Sequence, residues 1–113
     1  MEDHEIEIFV EGTPPKLRYS DEGWTEMKLH DRVRWVCEQH DCDIRFKTDS
    51  PFDEITIPSS SSAGTEKKHT NWCTAKKYAK HRVEFKYTVS VKMGNDDPLV
   101  DDPIIIVDDE GAT

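Results

Sequence analysis

No stretch of this sequence approaches the roughly 18 consecutive apolar residues that a membrane-crossing helix needs, so none is expected. The opening residues, Met1-Glu2-Asp3-His4-Glu5, have neither the basic nor the apolar region of a secretory signal. Cysteine is scarce. The 3 present are an odd count and are expected as reduced thiols in a cytoplasmic protein. Positive charge is in deficit, with 15 Lys and Arg against 24 Asp and Glu for a net charge of −9. That balance excludes a general binder of nucleic acid or of an anionic membrane, because phosphate attraction needs a basic face. Helical periodicity is also missing, and only short helical turns are expected. No nucleophile sits beside a base in a local catalytic signature, so enzymatic activity is not expected.

What the sequence does have is alternation. In Arg82–Val91, Val83, Phe85, Tyr87, Val89 and Val91 take every second position, with Arg82, Glu84, Lys86, Thr88 and Ser90 between them. A strand sends successive side chains to opposite faces, so this segment presents one apolar wall and one wet wall. It is expected as the central strand. The same pattern, more briefly, marks Glu5–Val10, Leu17 with Tyr19, Arg32–Cys37, Cys42 to Phe46, and Ile55 with Ile57. His69–Ala75 reads as one strand carrying Trp72 or Cys73 inward. Ile104–Val107 is apolar throughout, which fits burial on both faces or pairing with the N-terminal strand. Trp24–Leu29 suits either a short helical turn or a strand.

Gln39-His40-Asp41 reads as a hairpin connection, and Ser59–Gly64 as a mobile surface loop. Lys92–Asp102 carries turn chemistry and is expected as a loop, while residues 108–113 form a frayed acidic tail. Seven to nine short strands in a chain of 113 residues predict a single all-β domain spanning residues 1–113, an antiparallel β-sandwich.

The order Val33-Arg34-Trp35, then Ile44-Arg45-Phe46 with Ser50-Pro51-Phe52, then Phe85–Val91, a loop and Asp102–Asp108 resembles the cupredoxin-like Greek-key sandwich. It is similar in particular to small uncharacterised bacterial members with a Tyr-Thr-Val strand before a terminal Asp-Pro strand. The likeness covers about residues 30–108. In copper-binding relatives the penultimate strand ends in Tyr-x-Cys, followed by a loop with His and usually Met. Here Tyr87-Thr88-Val89 puts valine at the thiolate position, and the next loop offers Lys92 and Met93 but no histidine. A blue-copper centre needs one thiolate and two imidazoles. The resemblance therefore implies the scaffold without its copper, and no cofactor is expected.

The residues that can carry chemistry are few. Cys37, His40, Cys42, His69 and Cys73 offer thiolates and imidazoles of the kind that hold zinc or copper, or that support thiol redox chemistry. Their spacing is irregular. Buried free thiols and a disulfide from Cys37 or Cys42 to Cys73 are the other readings. Asp96, Asp97, Asp101, Asp102, Asp108, Asp109 and Glu110 lack calcium-loop spacing and read as solvated loops. His4 falls one residue too late for an amino-terminal copper clasp. Trp24, Trp35 and Trp72, with Tyr19 and Tyr78, invite a carbohydrate or peptide platform, although the alternation puts Trp35 in the core.

Residues 66–86 stand out electrically. Lys67, Lys68, Lys76, Lys77, Lys80, Arg82 and Lys86 face only Glu66 and Glu84, a local charge of +5. Lysines on a strand edge discourage aggregation, and they also suit an acidic partner. The expectation is a non-enzymatic module that binds another protein, an acidic one, through Lys67, Lys68, Lys76, Lys77, Lys80, Arg82 and Trp72 or through an exposed sheet edge.

Overall fold

The computed structural model describes residues 2–38, 40–47, 49–61, 67–76 and 82–108, and among them the protein is all-β. In chain order the strands are β1 (Asp3–Glu11), β2 (Lys16–Tyr19), β3 (Trp24–Lys28), β4 (Arg32–Glu38), β5 (Cys42–Phe46), β6 (Thr56–Pro58), β7 (Ser60–Ser61), β8 (Lys67–His69), β9 (Cys73–Thr74), β10 (Arg82–Met93), β11 (Asp96–Asp101) and β12 (Ile104–Asp108). They form two sheets. The first runs β2-β1-β4-β8-β7 with β9 also on β4, and the second runs β3-β12-β10-β5-β6 with β11 also on β10.

The 82–91 alternation is realised as β10, whose Phe85, Tyr87, Val89 and Val91 are buried while Arg82, Glu84 and Lys86 are exposed. It pairs with β5 on one side and with β12 and β11 on the other. The β11 and β12 registers are continuous, Ser90 facing Val100 and Lys86 facing Ile104, so residues 82–108 make one long hairpin. Gly94, with φ +66°, and Asn95 close it. The expected 92–102 loop is therefore a strand pair. Pro98 is tolerated because β11 lies at a sheet edge.

The sandwich is mixed, not antiparallel. β1 runs parallel to β4, and β3 runs parallel to β12. Parallel neighbours need a long crossover, and the β1-to-β4 crossover includes β3, which belongs to the other sheet. The closing strand accordingly pairs with β3 and β10, not with the N-terminal strand, and its Ile105, Ile106 and Val107 are buried. Among the described residues twelve strands replace the expected seven to nine, chiefly because the single strand expected over 69–75 gives way to β8, which ends at His69, and β9, and because β7 and β11 form. Thr70 bridges the split: its N–H donates to the Trp35 carbonyl at 2.9 Å, and its Oγ1 accepts from the Trp35 N–H at 3.0 Å. Of the predicted 59–64 loop, Ser60–Ser61 is β7, and residues 62–64 lie outside the described residues, as do residues 109–113 of the tail.

Two devices join the sheets. Trp35 of β4 meets Tyr87 of β10 and Phe52 edge-on, with centroids 5.5 and 6.2 Å apart, and its Nε1 donates to the Tyr87 hydroxyl at 3.3 Å. Such contacts add about 1 kcal/mol each beyond burial. The second is covalent. Cys37 of β4 and Cys42 of β5 form a disulfide, both sulfur-bearing residues being buried. β4 and β5 lie in different sheets and do not form the expected hairpin. With only five residues of separation, closing this loop contributes about 2 kcal/mol on chain-entropy grounds.

Candidate functional site

The five Cys and His residues do not converge. Cys37 and Cys42 are bonded to each other, so their thiolates are not available to a metal, and neither pairs with Cys73. Cys73 sits opposite Val33, four residues back along β4 from Cys37; at strand rise that is about 13 Å. Its thiol is buried and is pushed up to about 12, first by desolvation and then by Glu54. A thiol held protonated in this way is a poor nucleophile and a poor ligand. Nδ1 of His69 lies 3.1 Å from the Thr70 carbonyl. The only cluster of three or more possible metal donors among the described residues lies elsewhere, at Glu2, His4 and Asp31.

Of the basic side chains described in residues 66–86, all but Lys86 are engaged. Lys68 binds Asp41 at 3.0 Å, Lys76 binds Asp53 at 2.7 Å, and Arg82 binds Glu26 at 2.9 Å. Lys77, Lys80 and the Lys67 side chain lie outside the described residues. Trp72, half-buried, lies under both the Arg32 and Arg34 guanidinium groups, at 4.7 and 4.6 Å.

Those two arginines belong to an outer face of the first sheet on which each described arginine is paired. Arg32 grips Asp3 through two hydrogen bonds, of 2.8 and 2.6 Å, which hold the Asp3 carboxyl below the ordinary carboxylate range. Arg34 holds Glu5 at 2.7 Å. Arg18 holds Glu11 at 2.9 Å and covers the Phe9 ring at 4.9 Å. The parallel register sets two of these pairs, since Asp3 faces Arg32 and Glu5 faces Arg34.

The outer face of the second sheet is different. Arg45 faces Thr88 across the β5–β10 pair. Lys86, two residues from Thr88 on the same side, and Lys47, two residues from Arg45, extend the group. All three cations are exposed, and among the described residues none makes an ion pair or side-chain hydrogen bond. Lys28 and Lys92 on this face are likewise unpaired. Around them lie Trp24, 50% exposed and in register with Ile104 and so with Lys86, and Val100, 60% exposed beside Ser90. A shallow depression of about 260 Å³ is lined by Asp43, Arg45, Thr88, Ser90 and Val100. Asp43 and Glu84 stand at the two ends of the cation group.

At one end of the sandwich, Asp31 is buried and collects three donors. The N–H groups of Glu2 and Lys28 donate at 2.8 and 2.9 Å, and the His4 Nε2 lies at 3.0 Å. Desolvation pushes the Asp31 carboxyl up, but these hydrogen bonds and the His4 charge outweigh it, leaving the group below its ordinary value. The turn that presents Asp31 includes His30 at φ 74°, held by its N–H to the Ala75 carbonyl at 2.8 Å. Of the acidic loops, Asp101 accepts from the Tyr19 hydroxyl and Asp102 from Thr88 Oγ1. Trp35 is core, and Tyr78 lies outside the described residues.

Compared with known proteins, the chain matches no family model and no curated sequence.

Proposed function

We propose that this protein is a non-enzymatic β-sandwich module that binds a short acidic segment of a partner protein on the outer face of its second sheet. One observation carries the reading. Arg45, Lys47 and Lys86 share that face without partners, while Lys68, Lys76 and Arg82 of the basic segment are each engaged by the chain's own carboxylates. Unpaired cations in a chain of net charge −9 are a local feature, and carboxylates complement them. Trp24 and Val100 flank the cations with apolar surface, the composition of an interface core beside a polar rim. Asp43 and Glu84 repel a long acidic run, so the occupant's acidic stretch is short. The expectation of an acidic partner is kept; the surface shifts from the Lys67–Arg82 lysines and Trp72 to Arg45 and Lys47 beside Lys86 of the basic segment.

The cupredoxin-like likeness belongs to the same reading. Val89, at the position of the copper thiolate, is fully buried and faces Ile44, which suits a scaffold used for binding and not for electron transfer. The expected cytoplasmic location, read from the lack of a secretory signal, carried with it three reduced thiols; the Cys37–Cys42 bridge contradicts that, and disulfides persist more readily in oxidising compartments.

The test is amide chemical-shift mapping of the isotope-labelled protein titrated with an unlabelled peptide of three glutamates flanked by leucines, at low salt. Shifts centred on Arg45, Lys47, Lys86 and Thr88, lost in the double variant Arg45→Glu/Lys86→Glu and kept in Lys68→Glu, support the proposal. Shifts centred on residues 67–76, or none, overturn it.

A further inference from the structure

We infer that Glu2, His4 and Asp31 form a binding site for a divalent transition-metal ion, with Zn²⁺ the best chemical fit. One atom from each, a carboxylate oxygen of Glu2, an imidazole nitrogen of His4 and a carboxylate oxygen of Asp31, lie within 4.8 Å of one another. One imidazole with two carboxylates suits zinc, whereas carboxylates alone favour calcium or magnesium. Ligand atoms on a tetrahedral zinc stand about 3.3 Å apart, given bonds near 2.0 Å. His4 Nε2 and Asp31 Oδ2, at 3.0 Å, are already close to that spacing. The Glu2 side chain is exposed and makes no hydrogen bond, so a rotamer change brings it in without breaking anything. Asp31 is held in place from behind by the Lys28 and Glu2 N–H groups, the outer-shell support that ligating carboxylates need.

A separate observation points the same way. The three residues open onto a cavity of about 420 Å³ whose wall adds Glu26 and Asp108. Four carboxylates line the opening; Arg82 engages Glu26 at 2.9 Å and lies 3.9 Å from Asp108, so Glu2 and Asp31 carry the attraction for a cation. Three protein donors leave the fourth position of a tetrahedral ion open to water or to a ligand in the cavity. When the ion enters, it takes the place of the hydrogen bond between His4 and Asp31. His4 then presents its Nε2 lone pair and carries its proton on Nδ1, while Asp31 Oδ2 keeps the Lys28 N–H.

The site does not depend on the docking face proposed above. The competing account makes the His4–Asp31 bond a structural pin alone, and titration calorimetry of the metal-free full chain with Zn²⁺ separates the two. The expected result is one ion per chain. Binding weakens by about 100-fold in Glu2→Gln, no less than the loss of an outer-shell partner costs. It disappears in His4→Gln, whose amide still donates to Asp31 and so preserves the pin, and it is unchanged in His69→Gln. With Mn²⁺ as a paramagnetic probe, amide signals of residues 2–5 and 27–32 broaden first. No stoichiometric binding, or binding that survives both Glu2→Gln and His4→Gln, overturns the inference.

Discussion

The two outer faces of the sandwich are built from similar residues and used in opposite ways. On the first sheet Arg18, Arg32 and Arg34 each meet a carboxylate of β1, and Trp72 lies beneath two of them. On the second sheet Arg45, Lys47 and Lys86 meet none, and Trp24 stands half in water. The difference comes from pairing. The parallel β1–β4 register sets an acidic strand beside a basic one, row for row. On the second sheet, β10 alternates charge along its own length, and β5 sets Arg45 opposite the neutral Thr88. The arginines of the first face are satisfied within it, and it is a structural surface. The second pairs Arg82 with Glu26 and leaves Arg45, Lys47 and Lys86 for something else.

The largest effect is expected where the first face is anchored. Asp31 fixes the start of β1 through Glu2 and His4, and with it the Asp3–Arg32 and Glu5–Arg34 rows. Asp31→Asn turns an amide N–H₂ toward donors and leaves at least one buried N–H unmet, costing about 2 kcal/mol. The folded-state carboxyl lies below its ordinary value of 3.8, so the folded form binds its proton less readily than the unfolded form. The stability this group contributes is therefore complete above about pH 5 and is lost as pH falls through 3.8 and below. Denaturation in chelator from pH 7 to pH 3 should show the gap between wild type and variant narrowing toward the acid end. A constant gap would mean that the ionised carboxylate is not what anchors this face.

The elements that were legible in the sequence are those whose partners lie close by or whose pattern is self-contained. Val83 to Val91 announce β10 without help from any neighbour, and Trp35 announces its burial by alternating with Val33 and Cys37. β11 was hidden because Asp96, Asp97 and Pro98 oppose strand formation, and only the template of β10 overrides them. The Cys37–Cys42 bridge was hidden by the assumption that a three-residue connection joins neighbours in one sheet. The available signal was two inward-facing cysteines flanking that connection. Neither the Glu2–His4–Asp31 cluster nor the paired face was visible, since both depend on β1 lying parallel to a strand 29 residues further on. The lysine-rich 66–86 segment drew attention by composition. Composition does not say which cations already have partners.

The next test compares the two tryptophans outside the core. Removing Trp72 takes an aromatic surface from under two guanidinium groups and uncovers the half-buried ring site, so Trp72→Ala should cost about 1–2 kcal/mol. At this chain length that lowers Tm by about 4 °C per kcal/mol. Trp24→Ala should change stability by no more than about 0.5 kcal/mol, as for surface positions without special contacts, while weakening the acidic peptide. Equal losses in the two variants would erase the distinction between the faces.

The smallest effect is the cleanest discriminator. Arg34→Glu and Lys86→Glu each change the net charge by the same two units, so the long-range cost of making an acidic chain more acidic is common to both and cancels in their difference. What remains is local. On the first face the new glutamate stands against Glu5 and uncovers Trp72, a loss of about 0.5–1 kcal/mol. On the second face it lies near Arg45 and Lys47, where it can gain a few tenths. The gap between the variants should narrow in 1 M salt, where the Debye length is about 3 Å. The remainder at high salt measures the packing of Arg34 on Trp72, and if nothing remains, the first face is held by its ion pairs alone.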